Sequence, residues 1–205
     1  TAPVATCNAM NDTNKPGSIG QVMPGTEISI HDLEAPHDPM PMGERGEVRI
    51  KGPQVMKGYL NRPEETAESL RDGWFRTGDV GYMDEDGHFF LVDRMKDLIL
   101  CSGYNVYPRM VEEAIYLHPS VAEVTVIGID DDYRGQSPKA FVKLKDGEQV
   151  TEAEMKSFLE DKLSKIEMPS EIEFRLELPK TIIGKLSKKE LVAEEVEKHP
   201  GSANS

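Results

Sequence analysis

The sequence predicts an α+β protein in which a small β-rich, barrel-like subdomain is followed by a hinge and a compact α+β domain. Three observations indicate this order. Short segments of alternating apolar and polar residues, separated by Gly and Pro, fill the first half of the chain. A charged stretch with little apolar content follows at residues 93–97. Helical and strand patterns then alternate, which is typical of a layered α+β domain.

Strands and turns are predicted over about residues 17–92. Segments 27–30 and 46–52 alternate apolar and polar residues with the period of two that a half-buried strand requires. The turn sequence Asp-Glu-Asp-Gly at 84–87 precedes the apolar segment 88–92, which indicates a hairpin. One helix interrupts these strands. Pro63 suits its first position and Asp72-Gly73 its end.

The second half predicts three helices and three strands. Thr151 with Glu154, and Ser187 with Glu190, have the spacing of capping boxes that begin the second and third helices. The second helix has a predicted apolar stripe of Met155, Phe158, Leu159 and Leu163. The remaining elements are a helix over 108–117 and strands over 121–129, 139–144 and 171–176.

Composition excludes several classes of function. The chain has 205 residues and a formal net charge of −13, which argues against nucleic acid and anionic lipid as partners. No apolar run reaches membrane-spanning length, so no integral membrane segment is predicted. Cys7 and Cys101 lie far apart, which favours a reducing, cytoplasmic location. The five His form no metal-binding pattern and are interpreted as surface or turn residues.

Three segments are candidates for chemistry. In Thr77-Gly78-Asp79, a glycine lets the backbone approach a ligand while the carboxylate accepts hydrogen bonds from vicinal hydroxyls. Arg94 has a guanidinium that suits a phosphate or sugar. The segment Ser-Gly-Tyr-Asn at 102–105 predicts a tight loop, and Gly184-Lys185 predicts a turn that presents a cationic side chain. Each segment alone also fits an ordinary turn or linker.

Taken together and in this order, the motifs resemble the adenylate-forming superfamily of acyl-CoA synthetases, adenylation domains and firefly-type luciferases. Residues 43–61 resemble its Gly-Glu strand motif, 74–79 its Arg-Thr-Gly-Asp motif and 93–113 its hinge and gate motif. Residues 179–185 resemble its terminal lysine motif. Fatty acyl-CoA synthetases are the most similar group within the superfamily.

The resemblance implies a two-step reaction, in which a carboxylic acid attacks ATP to give acyl-AMP and a thiol then displaces AMP. It implies that Lys185 is catalytic in the first step and that Thr77, Asp79 and Arg94 bind the nucleotide. It further implies a hinge at Lys96. The loop residues Gly103, Tyr104 and Asn105 would face the active site in the second step, with Gly103 lining a tunnel for the thiol of CoA.

The same resemblance implies a domain division. Residues 1–93 would be the β-rich end of a large N-terminal domain, 94–97 the hinge, 98–198 a mobile C-terminal domain and 199–205 a disordered tail. The family's phosphate loop and the Glu that helps to hold Mg²⁺ would precede Thr1, so the chain is expected to be a fragment that is inactive alone.

Two positions depart from the family pattern, and two other functions stay open. Lys188 and Lys189 follow the terminal lysine where many relatives carry Arg, and Asp93 stands where relatives often have Gly. One alternative is a carrier protein as the source of the acceptor thiol, which the net charge disfavours because carrier proteins are themselves acidic. The other is a non-catalytic lid or interaction module. The acyl chain and the oligomeric state stay open.

Overall fold

A computed structural model describes residues 2–10, 14–35, 38–182 and 184–198. The chain divides into two units, Thr1–Lys96 and Asp97–Ser205. Both are mixed structures rich in β-strands, which confirms the predicted α+β class. In the described residues no helix has the length and apolar character needed to cross a membrane. The predicted disordered tail, 199–205, lies outside the described residues.

The first unit is built on one curled five-stranded antiparallel sheet. Strand β6 is its centre, since β4, β5 and β7 all pair with it and β3 pairs with β4. Buried Ile30, Val48 and Phe89 form a small core on this sheet. The elements are β1 Thr6–Cys7, β2 Gln21–Val22, β3 Glu27–His31, β4 Gly46–Lys51, α1 Pro63–Ser69, β5 Leu70–Arg71, β6 Trp74–Met83 and β7 Phe89–Arg94.

Two boundaries predicted in this unit were wrong. Helix α1 ends at Ser69 because Leu70–Arg71 pair with β6, and Asp72 and Gly73 form the turn between β5 and β6, both with positive φ. The predicted charged joint begins later than expected, since β7 extends to Arg94 and a 3-10 helix, Met95–Asp97, follows it. In both cases pairing with β6 makes a strand of residues that carry no strand signal of their own.

The second unit packs helices on both faces of a five-stranded sheet. Strands run in the order β10-β11-β8-β9, and β12 pairs with β11 in parallel. Helices α2 and α3 cover one face, and α4 packs against Ile127 and Phe141 on the other. The elements are β8 Ile99–Cys101, β9 Tyr104–Val106, α2 Pro108–Tyr116, β10 Val121–Asp131, β11 Gly135–Leu144, α3 Glu152–Leu159, β12 Glu171–Phe174 and α4 Lys188–Lys198.

The predicted helix starts in this unit agree in part with the structure. The capping box at Thr151 and Glu154 is confirmed, with both reciprocal hydrogen bonds present. At Ser187 the backbone N–H instead donates to the Pro179 carbonyl at 2.8 Å. Strand β12 ends at Phe174, and Leu176 is exposed rather than part of the strand.

His88 is a turn residue, as predicted, since it lies between β6 and β7, but it is not at the surface. His88 is buried, and its backbone N–H donates to the Asp84 carboxylate in the β6–β7 turn.

A buried lysine joins β11, β12 and α4. Lys139 is 2% exposed, and its Nζ lies 3.0 Å from Glu171, 3.1 Å from Glu173 and 2.9 Å from Glu195. Burial alone would lower the pKa of Lys139, but its hydrogen bonds to these carboxylates outweigh burial and raise it. Arg175 lies 2.7 Å from Glu173, and together with Lys139 it holds the pKa of that carboxyl at about 2, against the opposing effect of burial. Lys139 and Glu173 are therefore both charged at neutral pH.

Removing the helix partner of this lysine is expected to destabilise the second unit. Glu195→Ala leaves a buried ammonium with fewer partners, which typically costs about 3 kcal/mol of unfolding free energy. The control Glu194→Ala changes the neighbouring carboxylate, 44% exposed and paired with Arg175, and should cost less than about 1 kcal/mol. Denaturant unfolding followed by circular dichroism measures both.

The single tryptophan, Trp74, reports on the other unit, so its fluorescence transition should not move. Equal losses of unfolding free energy in Glu195→Ala and Glu194→Ala would contradict the importance of the Lys139–Glu195 pair. A shifted Trp74 transition would contradict its restriction to the second unit.

Candidate functional site

The Thr77-Gly78-Asp79 motif forms a bulge in the central strand of the first unit. Glu47 pairs with Val80 and Arg49 with Arg76, so three residues of β6 stand opposite Val48 alone. Gly78 has a φ of +70°, which lets the backbone fold outward at that point. The Thr77 hydroxyl donates to the Val48 carbonyl at 2.7 Å, which replaces a backbone ladder bond. The bulge thus interrupts the regular pairing of β6 with β4 at Thr77, Gly78 and Asp79.

Asp79 is held at the end of this bulge beside Arg94. Its N–H donates to Thr77 Oγ1 at 3.0 Å, and the residue pairs in register with Arg94 on β7. Arg94 Nε lies 3.4 Å from Asp79 Oδ1, while most of the guanidinium is exposed. Burial raises the pKa of Asp79, and Arg94 offsets part of this effect. A carboxylate and a solvent-facing guanidinium therefore stand side by side.

A small open pocket of about 280 Å³ lies next to this pair. It is lined by Thr77, Gly78, Arg94, Met95 and Lys96. The Lys96 side chain is exposed and makes no ion pair with any described residue. The structure therefore brings together four of the predicted positions, Thr77, Asp79, Arg94 and Lys96. The pocket is positively charged and suits an anionic ligand.

The sequence interpretation gave no role to Glu47, although it supports this bulge. Glu47 is 1% exposed, and its carboxylate accepts from Arg49 Nε at 3.0 Å and from Arg76 Nε at 3.0 Å. Arg76 directly precedes Thr77, so the buried carboxylate fixes the strand where the bulge begins. The sequence does contain one indication of this contact. Glu47 and Arg49 have opposite charges and are two residues apart, and residues i and i+2 lie on the same face of a strand.

The second unit presents Gly103 at the tip of a tight hairpin. Ser102 and Gly103 connect β8 to β9 with φ values of +52° and +81°, the left-handed pair that a two-residue hairpin turn requires. The Ser102 N–H donates to the Arg134 carbonyl at 2.7 Å in the β10–β11 turn. Tyr104 and Asn105 follow in β9, both exposed. The three predicted positions thus lie next to one another, Gly103 in the turn and Tyr104 and Asn105 in the strand that follows it.

Lys185 ends a short closed loop that precedes α4. Lys180 and Leu186 form an antiparallel bridge at its base, and the Thr181 N–H donates to the Lys185 carbonyl at 2.7 Å. Gly184 has a φ of +79°. The Lys185 side chain is exposed and has no carboxylate partner within 4 Å among the described residues. Ile183, within the terminal lysine motif, lies outside the described residues. The loop therefore presents an uncompensated ammonium.

The base of the Lys185 loop and the Gly103 turn lie near opposite ends of β10. Lys180 contacts Glu123 near the start of the strand, whereas the Ser102 N–H bonds the turn that follows Asp131. The strand between Glu123 and Asp131 spans about 26 Å at about 3.3 Å per residue. A single small ligand cannot contact both anchoring regions at once.

Comparisons with known families locate two matches along the chain. Residues 1–60 match the family model described as AMP-binding enzyme, and residues 110–185 match the one described as AMP-binding enzyme C-terminal domain. The second match includes α2, the sheet hairpin β10–β11 and the Lys185 loop.

Individual relatives and a solved structure agree with these matches. A long-chain-fatty-acid–CoA ligase of Bacillus subtilis (strain 168) is 50% identical over 97% of this chain and 35% of the relative. A 2-succinylbenzoate–CoA ligase of Geobacillus kaustophilus is 43% identical over 92% of this chain and 38% of the relative. ATP-bound MatB from Rhodopseudomonas palustris superposes with a TM-score of 0.85, at 35% identity over 94% of this chain and 38% of that one. The chain spans about a third of the length of these proteins.

Proposed function

Because the chain belongs to the adenylate-forming superfamily of AMP-binding enzymes, we propose that it is the C-terminal part of an acyl-CoA synthetase. Such an enzyme is an acid–thiol ligase that activates a carboxylic acid with ATP and transfers the acyl group to CoA. The observation that carries this proposal is that the Lys185 loop and the Ser102-Gly103 turn are anchored near opposite ends of one strand, β10. The reaction has two half-reactions, and each loop suits one of them.

In the first half-reaction a carboxylate oxygen bonds to the α-phosphorus of ATP and the bond to pyrophosphate breaks. Negative charge is then shared by the attacking and bridging oxygens. The Lys185 ammonium is exposed and uncompensated, so it is free to lie over these oxygens. A cation placed there in a site without water stabilises the transition state by about 3 kcal/mol.

Asp79 and Arg94 suit the nucleotide in this proposal. A carboxylate accepts hydrogen bonds from the two ribose hydroxyls, and the exposed guanidinium can contact a phosphate or ribose oxygen. Thr77 sets their position, since its hydroxyl fixes the bulge to Val48 and receives the Asp79 N–H. The positive pocket beside them fits the charge of AMP and ATP.

In the second half-reaction a thiol sulfur bonds to the acyl carbon and the bond to AMP breaks. Gly103 has no side chain, and a Cβ added there would meet no atom of this chain within 4 Å. We propose that this open space on the Ser102-Gly103 turn admits the pantetheine arm of CoA. Lys96, in the 3-10 helix between the two units, is proposed as the hinge that exchanges the two loops.

We propose that Mg²⁺ and the acyl group are bound by residues outside this chain. Among the described residues no group of three His, Cys, Asp or Glu side chains is arranged to hold a metal ion. We propose a carboxylic acid, ATP and CoA as the partners, and a fatty acid as the acyl substrate because long-chain ligases are among the relatives. A cytoplasmic location suits the free thiols of Cys7 and Cys101.

Two alternatives lead to different experimental results. A carrier protein could replace CoA as acceptor, in which case thioester formation would require the carrier protein. A non-catalytic lid or interaction module would show no activity even within the full-length protein. A panel of carboxylic acids with ATP, read by pyrophosphate exchange and by thioester formation with CoA, separates the three and identifies the acyl group. Exchange without a CoA thioester indicates a carrier-protein acceptor, and the absence of both reactions indicates a non-catalytic module.

Removing the loop ammonium is expected to stop the first half-reaction alone. In the full-length enzyme, Lys185→Ala should lower ATP–pyrophosphate exchange by about 100-fold or more, because the transition-state charge loses its cation. Thioester formation from supplied acyl-AMP should stay within about twofold. Lys189→Ala removes a nearby exposed lysine and should leave exchange unchanged. Equal losses in both half-reactions would contradict the role of Lys185.

Adding a side chain at the hairpin tip is expected to have the opposite effect. Gly103→Leu should slow thioester formation by about 10-fold or more by filling the proposed thiol path, and leave pyrophosphate exchange intact. Gly147→Leu is a matched control, since Gly147 has a φ of +82° and equally open surroundings. It carries the same backbone strain of about 1–2 kcal/mol without lying on the path. A thioester rate unchanged in Gly103→Leu, or lowered equally in both variants, would refute the tunnel.

The 205-residue chain alone is expected to bind ATP weakly. Its nucleotide pocket is small and open, whereas tight small-molecule sites enclose most of the ligand. Isothermal titration calorimetry should therefore give a dissociation constant weaker than about 1 mM. Micromolar affinity would mean that this chain forms the nucleotide site by itself. It would contradict the proposal that residues outside the chain form most of that site.

A further inference from the structure

The loop that carries Lys185 is anchored at both ends by ion pairs whose carboxylates have no role in the reaction described above. Lys180 precedes the loop, and its Nζ lies 2.6 Å from Glu123 Oε1 on β10. Lys188 follows the loop, and its Nζ lies 3.0 Å from Glu112 Oε1 on α2. The two lysines thus connect the loop to two different elements of the fold.

The carboxylate side of each pair is the fixed side. The Glu112 and Glu123 side chains are 17% and 24% exposed, and both belong to elements packed in the core of the unit. Glu112 Oε1 also accepts from the Val126 N–H at 2.9 Å, which orients the carboxylate against the sheet. Glu123 Oε2 is buried and receives no hydrogen bond in the described part of the chain. The Glu123 charge therefore depends on Lys180 for compensation.

The loop itself is closed by its own hydrogen bonds. The Gly184 N–H donates to the Thr181 carbonyl at 2.8 Å, and the Lys185 N–H donates to Thr181 Oγ1 at 3.2 Å. The bridge between Lys180 and Leu186 closes its base. No hydrogen bond or ion pair links residues 181, 182, 184 or 185 to any other described element. The direction in which Lys185 points is therefore set at the base.

We propose that Glu123 and Glu112 are positioning residues for Lys185 in the adenylation half-reaction, an inference that rests on the function proposed above. By fixing Lys180 and Lys188, the two carboxylates orient the short loop and hold the Lys185 ammonium where the carboxylate and phosphate oxygens meet. A displacement of about 1 Å at a reacting group is enough to cost about 100-fold in rate.

Isosteric neutral variants of the full-length enzyme test this inference. Glu123→Gln and Glu112→Gln keep the side-chain shape and an acceptor oxygen but remove the charge. We expect kcat for ATP–pyrophosphate exchange to fall about 10-fold in each, with KM for ATP within about twofold. Thioester formation from supplied acyl-AMP should not change, since Lys185 takes no part in it. Glu152→Gln is the control, because it removes a 2.7 Å ion pair to Lys156 in the same unit.

The Lys180–Glu123 ion pair can also be broken from the lysine side, so the test does not depend on the folding of one variant. Lys180→Met breaks the pair from its more exposed side and should lower exchange as Glu123→Gln does. It leaves the Glu123 charge without its partner, whereas the double variant Lys180→Met/Glu123→Gln removes both charges and avoids an unpaired carboxylate. Circular dichroism checks that each variant is folded. The double variant should be no slower than either single one, because the first substitution already breaks the pair. Unchanged exchange in the single variants would overturn the inference. So would equal losses in both half-reactions with a lowered melting temperature, which indicate a structural role.

Failure of the proposed function itself gives a different result. The unsubstituted full-length enzyme would then show no ATP–pyrophosphate exchange with any carboxylic acid, so the inference about Glu123 and Glu112 would fall with it. Exchange in the unsubstituted enzyme together with full activity in Glu123→Gln, Glu112→Gln and Lys180→Met would refute the positioning role alone.

Discussion

The second unit depends on the compensation of one buried charge. Lys139 lies under β12 and α4, and the carboxylates that surround it come from both elements. A buried ammonium with too few partners costs several kcal/mol, so the strand and the helix must dock together to complete its surroundings. Helix α4 begins three residues after Lys185, and its position therefore determines where the loop leaves the sheet. Lys185, which we propose to be catalytic, is exposed, but its position depends on the buried Lys139.

Polar residues have different structural roles in the two units. In the first, buried Glu47 fixes the strand at Arg76, directly before the three-residue bulge. In the second, carboxylates hold lysines at the base of a loop. In both, the groups proposed to contact the substrate lie on short irregular segments. Ion pairs whose carboxylates belong to regular elements support those segments. Rigid support of this kind is what catalysis by positioning requires.

The sequence predicted the class of fold and most elements because period-two and capping signals are local. Thr151 with Glu154 is such a signal, and the structure has both of its hydrogen bonds. The failures were non-local. Leu70–Arg71 became a strand through pairing with β6, and β7 extended to Arg94 through pairing with Asp79. The grouping of Thr77, Asp79 and Arg94 followed from motif order, whereas the supporting Glu47, Glu112 and Glu123 depend on contacts across the sheet that no local pattern encodes.

The pairing of Lys139 with Glu195 joins residues 56 positions apart. During synthesis the hairpin β10–β11 is complete well before α4 leaves the ribosome. Until then the ammonium must remain hydrated, which opposes burial of that face of the sheet. The face covered by α2 and α3 has no such requirement, since its core is apolar. The two faces of one sheet are thus expected to become covered at different times as the nascent chain emerges. The face that α4 covers, where Lys139 lies, is expected to be covered last.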